Sequence, residues 1–116
     1  ELMCEKFMLE DAEYVVMGYG IVSRVLKTAV EKLRDKKVKI GLLRPITLFP
    51  FPKKEIDGLA VKNCKFLVVE MSNGQMVEDV RLVVQGKTTV DLYNRMGGVV
   101  PTTDEVIEHI QNRFRV

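Results

Sequence analysis

Two hydrophobic periods alternate along this chain, and that alternation constrains its fold more than any single motif. Tyr14-Val-Val-Met17 is a continuous apolar run ending at Gly18. Val22, Val25, Leu26, Ala29, Val30 and Leu33 follow, three and four residues apart. The first pattern suits a strand covered on both faces, the second the buried stripe of a helix. Arg24, Lys27, Glu31 and Lys32 take the other side of that helix, and Lys36-Lys37 ends it. The pair of signals then repeats. Val38, Ile40 and Leu42 alternate with Lys39 and Gly41, predicting a strand over 38–42. "RPITLFPFP" breaks the pattern, because its prolines suit neither a central strand nor a helix interior. A short helix is expected from about Pro52, carrying Ile56, Leu59 and Ala60 inward and weakened by Gly58. Phe66-Leu-Val-Val69 is the third strand, and Met76, Val77, Val80, Val83 and Val84 mark the next helix. Thr89 to Tyr93 reads as the fourth strand. Thr102-x-x-Glu105 is a capping box that opens a last helix with Val106, Ile107, Ile110 and Phe114 on one face.

A βαβαβαβα order implies an α/β fold of three layers, α/β/α, around a mostly parallel sheet. Residues 14–17 and 66–69 are apolar throughout and should be central. Residues 38–42 and 89–93 alternate and should lie further out. The simplest strand order is 38–42, 14–17, 66–69, 89–93. Right-handed crossovers place the first helix opposite the last two. "KFML", residues 6–9, suggests an antiparallel N-terminal edge strand. Strand order reverses between 14–17 and 66–69, a switch point of the kind where open α/β sheets hold ligands. Two loops meet there: Gly18-Tyr19-Gly20 and Met71-Ser72-Asn73-Gly74.

Composition narrows the class. With 116 residues, 47% hydrophobic and 29% charged, the chain suits one globular domain. A formal charge of +2 lacks the basic excess of a nucleic-acid binder. No apolar run approaches the roughly 20 residues that span a bilayer. The start, Glu-Leu-Met-Cys, lacks the basic segment and apolar core of a signal peptide. It also lacks an initiator methionine, as a piece of a longer protein would. Cys4 and Cys64 suit a reduced pair in the cytoplasm. With His109 as the only histidine, a metal site has few possible members, and none is expected.

Each motif has a functional and a purely structural reading. Gly18-Tyr19-Gly20-Ile21-Val22-Ser23 begins like a dinucleotide fingerprint, but Ser23 stands at the third glycine position. Arg44, near the end of the second strand, would suit a 2′-phosphate and so an NADP-type module. The alternative is a tight strand-to-helix turn that needs glycine. Gly86-Lys87-Thr88 mimics a phosphate loop, yet Arg81 stands where that loop needs glycine and the triplet leaves a helix. Phe49 and Phe51, in "LFPFP", either face a partner, as dimerisation anchors for instance, or fold back on the core. Ser72, Asn73, Gly74 and Gln75 either contact a ligand or cap the helix they precede. Glu78 and Asp79 in that helix's first turn suit its dipole and would compete with a bound anion. Asn94, Arg95 and Gly97-Gly98 read as a mobile polar loop. Glu70 is the only acidic residue at a strand end bordering the crevice, so no catalytic carboxylate pair or nucleophile–base pair is expected.

Three separated stretches together resemble a known family: "YGIVSRVLKTAVEKLRDKKVKIGLLRPITLFPFP", "FLVVEMSNGQMVEDVRLVVQGK" and "YNRMGGVVPTTDEV". They are similar to the α subunit of 2-oxoacid:ferredoxin oxidoreductases, in its C-terminal, transketolase C-terminal-like domain. The resemblance runs from about residue 12 to the end, with residues 1–11 as a fragment start or edge strand. "NGQMVEDVRL" followed by "RMGGVVPT" looks most like the 2-oxoisovalerate type, with the oxoglutarate type similar. The resemblance implies a complex that oxidatively decarboxylates a 2-oxoacid. Thiamine diphosphate with Mg would carry the carbanion chemistry, coenzyme A would take the acyl group, and iron–sulfur clusters would reduce ferredoxin. The implied partners are the remaining α-subunit domains, a thiamine-binding β subunit and a ferredoxin-like subunit.

This chain lacks that family's GDG…N stretch and any cysteine cluster. No catalytic, cofactor or metal residue is therefore assigned to it. The expectation is an architectural domain that docks on the rest of the complex and is inactive alone. The candidate contacts are Gly18, Tyr19, Gly20, Arg44, Phe49, Phe51, Ser72, Asn73, Gly74 and Gln75.

Overall fold

The computed structural model describes residues 4–47, 50–71, 75–95, 97 and 99–116. Its elements follow the expected alternation: β1 (Cys4–Phe7), β2 (Tyr14–Met17), α1 (Ile21–Asp35), β3 (Ile40–Pro45), α2 (Lys53–Val61), β4 (Lys65–Glu70), α3 (Gln75–Val84), β5 (Val90–Asn94) and α4 (Thr103–Phe114). The sheet order is β1-β3-β2-β4-β5. β1 runs antiparallel to β3, and the other four strands are parallel. This is the three-layer architecture that the pattern implies, with the parallel strands in the expected order and an antiparallel edge.

The edge strand lies two residues earlier than "KFML" suggests. Met8 turns out of β1 in the left-handed region, at φ 57°. The Met8–Leu9 segment then crosses over Gly41, and Leu9 is buried. β3 is also displaced, starting at Ile40 and running on through Arg44 to Pro45. Pro45 is tolerated as the last residue of the ladder, opposite Cys4. The alternation at 38–42 placed this strand further out than 14–17 and 66–69, as it is, yet Ile40, Gly41, Leu42 and Leu43 are all buried. β1 covers the outer side of β3, and Gly41, the apparent break in the pattern, is itself an inside position.

Alternate strand residues feed two cores. Val16, Leu42, Leu67 and Val69 pack with α1 and α4, through Leu26, Leu33, Val106 and Ile110. Val15, Met17, Leu43, Phe66 and Val68 pack with α2 and α3, through Ile56, Leu59, Met76 and Val80. The placement of both last helices opposite α1 is thus right for α3 and wrong for α4. The handedness rule governs helices that connect parallel strands. α4 follows the last strand, connects to none, and settles beside α1.

One arginine locks the sheet's amino end. Arg34 donates from Nε to Ile40 O at 2.8 Å and from Nη2 to Met8 O at 2.8 Å. Its two terminal nitrogens also grip the Asp11 carboxylate, at 3.1 and 2.7 Å. The last turn of α1 is thereby tied to the β1–β2 connection, which lacks a ladder of its own.

Candidate functional site at the carboxyl end of the sheet

β2, β3, β4 and β5 are parallel, so their following loops emerge at one end. The crevice residues are set by what happens where each strand stops.

β4 stops at Glu70, which is only 4% exposed. Its Oε1 accepts from Met76 N at 2.9 Å and its Oε2 from Val77 N at 2.9 Å. These are first-turn amides of α3, the donors a helix leaves unpaired at its positive end. The seat for an anion that the 70–75 stretch suggested therefore exists, and the chain's own carboxylate fills it. Ser72, Asn73 and Gly74, the capping or ligand residues expected from sequence, lie outside the described residues. Gln75 is exposed as the first residue of α3. The cue to Glu70 is an acid that closes an otherwise apolar strand just before a helix.

β2 stops at Met17. Gly18 is buried, and a Cβ there would stand 2.7 Å from Leu26 Cδ1 and 3.0 Å from Val22 Cγ1. Its smallness lets α1 pack on the strand end. Gly20, at φ 66° and ψ −143°, holds the N-cap position of α1 in a conformation suited to glycine. Ser23 is buried, and its hydroxyl donates back to Gly20 O at 2.6 Å. Between the glycines Tyr19 is exposed, and Ile21 after them is 62% exposed.

Arg44 stands opposite Glu5 in the β1–β3 register, and Nη1 donates to Glu5 Oε1 at 3.1 Å. Its Nε is buried without a hydrogen-bond partner among the described residues. Of the residues an NADP reading would use, Gly18 serves helix packing, Gly20 accepts from the Ser23 hydroxyl, and Arg44 is paired with Glu5 within the chain. Phe51 is half-buried against the α2–α3 core, while Phe49 lies outside the described residues. The Gly86-Lys87-Thr88 triplet leaves α3, as its spacing implied, and Lys87 pairs with Asp57 of α2.

Beyond β5 the polar loop is pinned where it is described. Arg95 N donates to Glu70 O at 2.8 Å. Arg95 Nη1 reaches Tyr93 Oη at 3.2 Å and Glu105 Oε1 at 3.0 Å. The capping box predicted for α4 is present, with Thr102 Oγ1 accepting from Glu105 N and Glu105 Oε1 accepting from Thr102 N. The Thr102 amide first, and the Arg95 guanidinium next, hold the Glu105 carboxyl below its ordinary range. The Arg34 guanidinium does the same for Asp11. A carboxylate with a lowered folded pKa contributes stability that is complete above its unfolded value, about 4, and is lost as pH falls through the folded value. Glu105→Gln and Asp11→Asn should each flatten the acid limb below about pH 4 in urea midpoints measured against pH. An acid limb identical to that of the parent would contradict this. Burial raises both Cys4 and Cys64 above the ordinary thiol value, and Cys64 Sγ donates to Ala12 O at 3.2 Å.

Fold and site together define an open, mostly parallel α/β domain with a self-filled helix start beside its switch point. The family profile for pyruvate:ferredoxin oxidoreductase core domain II matches residues 12–106, and the chain belongs to that family. Ketoisovalerate oxidoreductase subunit VorB of Methanothermobacter thermautotrophicus is 49% identical over 111 residues, which are 96% of this chain and 31% of that protein. The 2-oxoglutarate synthase subunit KorA of Methanothermobacter marburgensis is 38% identical over 106 residues, 91% of this chain and 28% of that protein. The chain thus spans about a third of the length of these curated relatives. A 2-oxoglutarate:ferredoxin oxidoreductase from Magnetococcus marinus, with 2-oxoglutarate, coenzyme A and succinyl-CoA bound, matches in fold with a TM-score of 0.78. That match covers 97% of this chain and 20% of the other, at 18% identity.

Proposed function

We propose that this chain is an architectural, non-catalytic domain of a 2-oxoacid:ferredoxin oxidoreductase α subunit. The whole complex would convert a 2-oxoacid and coenzyme A to the acyl-CoA while reducing ferredoxin. Thiamine diphosphate, Mg and iron–sulfur clusters would be held by other parts, which supply the carbanion and electron-transfer chemistry. Residues 12–116 would be the domain proper, and residues 1–11 would add its edge strand. The partners would be the remaining α-subunit domains, a thiamine-binding β subunit and a ferredoxin-like subunit, in the cytoplasm. The 49% identity to a ketoisovalerate subunit, against 38% to an oxoglutarate one, favours a branched-chain 2-oxoacid.

The observation that carries the non-catalytic reading is the pair of hydrogen bonds that Met76 N and Val77 N donate to the Glu70 carboxylate. It occupies, with the chain's own carboxylate, the helix start that an α/β crevice would offer a diphosphate. The test is twofold. The assembled complex should reduce ferredoxin with 2-oxoisovalerate and coenzyme A. Residues 1–116 alone should give no heat on titration with thiamine diphosphate and Mg. Tight, Mg-dependent binding by those residues would overturn the non-catalytic assignment. An assembled complex that oxidises no 2-oxoacid would overturn the family-based one.

A further inference from the structure

Tyr19, Ile21, Ile46 and Val99 are 43, 62, 47 and 60% exposed. All four lie in loops, or at a helix start, that follow the carboxyl ends of β2, β3 and β5. They are half of the eight large hydrophobic side chains exposed among the described residues. The other four, Met8, Val61, Leu82 and Val116, are scattered over the β1 exit and the ends of three helices. Single exposed apolar residues are ordinary, but a concentration along one end of a sheet marks a surface that is covered in use. From β3 to β5 there are three inter-strand steps, so the strand ends that these residues follow span roughly 14 Å.

The relatives indicate what covers it. The matched segment is 31% of VorB and 28% of KorA, so those polypeptides carry more than twice this much additional chain. We infer that the Tyr19, Ile21, Ile46 and Val99 surface is buried in cis, against the remaining domains of the same polypeptide. This rests on the proposed function and adds which partner takes the surface and through which side chains. The covering segment must be apolar where it meets Ile21, Ile46 and Val99.

The test is thiol accessibility in the full-length subunit. Both cysteines of residues 1–116 are buried, and labelling is read by mass on the peptide that carries the introduced thiol. Ile21→Cys and Val99→Cys sit on different elements, so one remains informative if the other misfolds. Leu82→Cys, on α3 and 72% exposed, is the reference. In the isolated full-length subunit, maleimide should label positions 21 and 99 at least about tenfold more slowly than position 82. Equal rates would overturn the inference. So would protection that appears only on adding the other subunits, which would make the occupant another chain. Protection that grows with subunit concentration would make the occupant a second copy and would overturn the inference equally. Ferredoxin reduction by the assembled complex is read separately, so this inference can fail while the proposed function stands.

Discussion

Replacing Gly41 by alanine should destabilise the domain by about 3 kcal/mol, at the upper end of what forced overpacking costs. An added Cβ would stand 2.5 Å from Met8 O, 2.9 Å from Met8 C and 2.7 Å from Leu9 Cδ2. Two of those atoms are backbone, so no rotamer change relieves the clash. The crossing segment is not free to lift, because Arg34 Nη2 holds the same Met8 oxygen at 2.8 Å. Gly41 pairs with Val15 across β2 and β3, so β3 cannot yield without disturbing the centre of the sheet. Urea denaturation should show a lower midpoint with little change in slope. Combining Gly41→Ala with Arg34→Ala should cost less than the two losses added, since freeing Met8 lets the turn rise. A loss below about 1 kcal/mol in the single variant would mean that the β1–β2 turn is far looser than the clamp implies.

Glu70→Ala should cost a similar amount, about 3 kcal/mol, by a different route. It removes two hydrogen bonds to an ionised acceptor and leaves the Met76 and Val77 amides without one at a buried helix start. Glu70→Gln keeps one carbonyl oxygen and should lose about half as much. Amide hydrogen exchange locates the effect: Met76 and Val77 should exchange faster, while Leu67 in the middle of β4 should change only with global stability. If Glu70→Gln and Glu70→Ala were equally damaging, the role would be the carboxylate's charge and not its two acceptor atoms.

Sequence carried the architecture because the two hydrophobic periods are dictated by burial. The buried stripe of α1, for example, contains Val22, Leu26, Ala29, Val30 and Leu33, as their spacing requires. The boundaries that slipped are those set by contacts between distant segments. Val38 and Lys39 look like strand, but Val38 N turns back to Leu33 O and Lys39 O serves Glu13 and Tyr14. The edge strand slipped because a left-handed Met8 over a glycine leaves no signature in hydrophobic pattern. The side of the sheet taken by α4 was out of reach because no crossover rule applies to a terminal helix. At the crevice, Gly18 and Gly20 were legible as glycines with a purpose. That one serves close packing and the other a positive φ needed coordinates. Glu70 stood out as an isolated acid, yet its task depends on two amides in the following helix, reached only when strand and helix are docked.

The sheet divides the interior into two apolar compartments that share strands but no side chains. A substitution at Leu26 is felt by α4, and one at Val80 by α2, but neither has a packing partner across the sheet. Substitutions in the two compartments should therefore combine nearly additively. Over evolutionary time each helix pair can exchange one set of apolar side chains for another of the same volume without compensating change in the other. The two faces can drift at different rates, and the face under an additional constraint will be recognisable as the slower one.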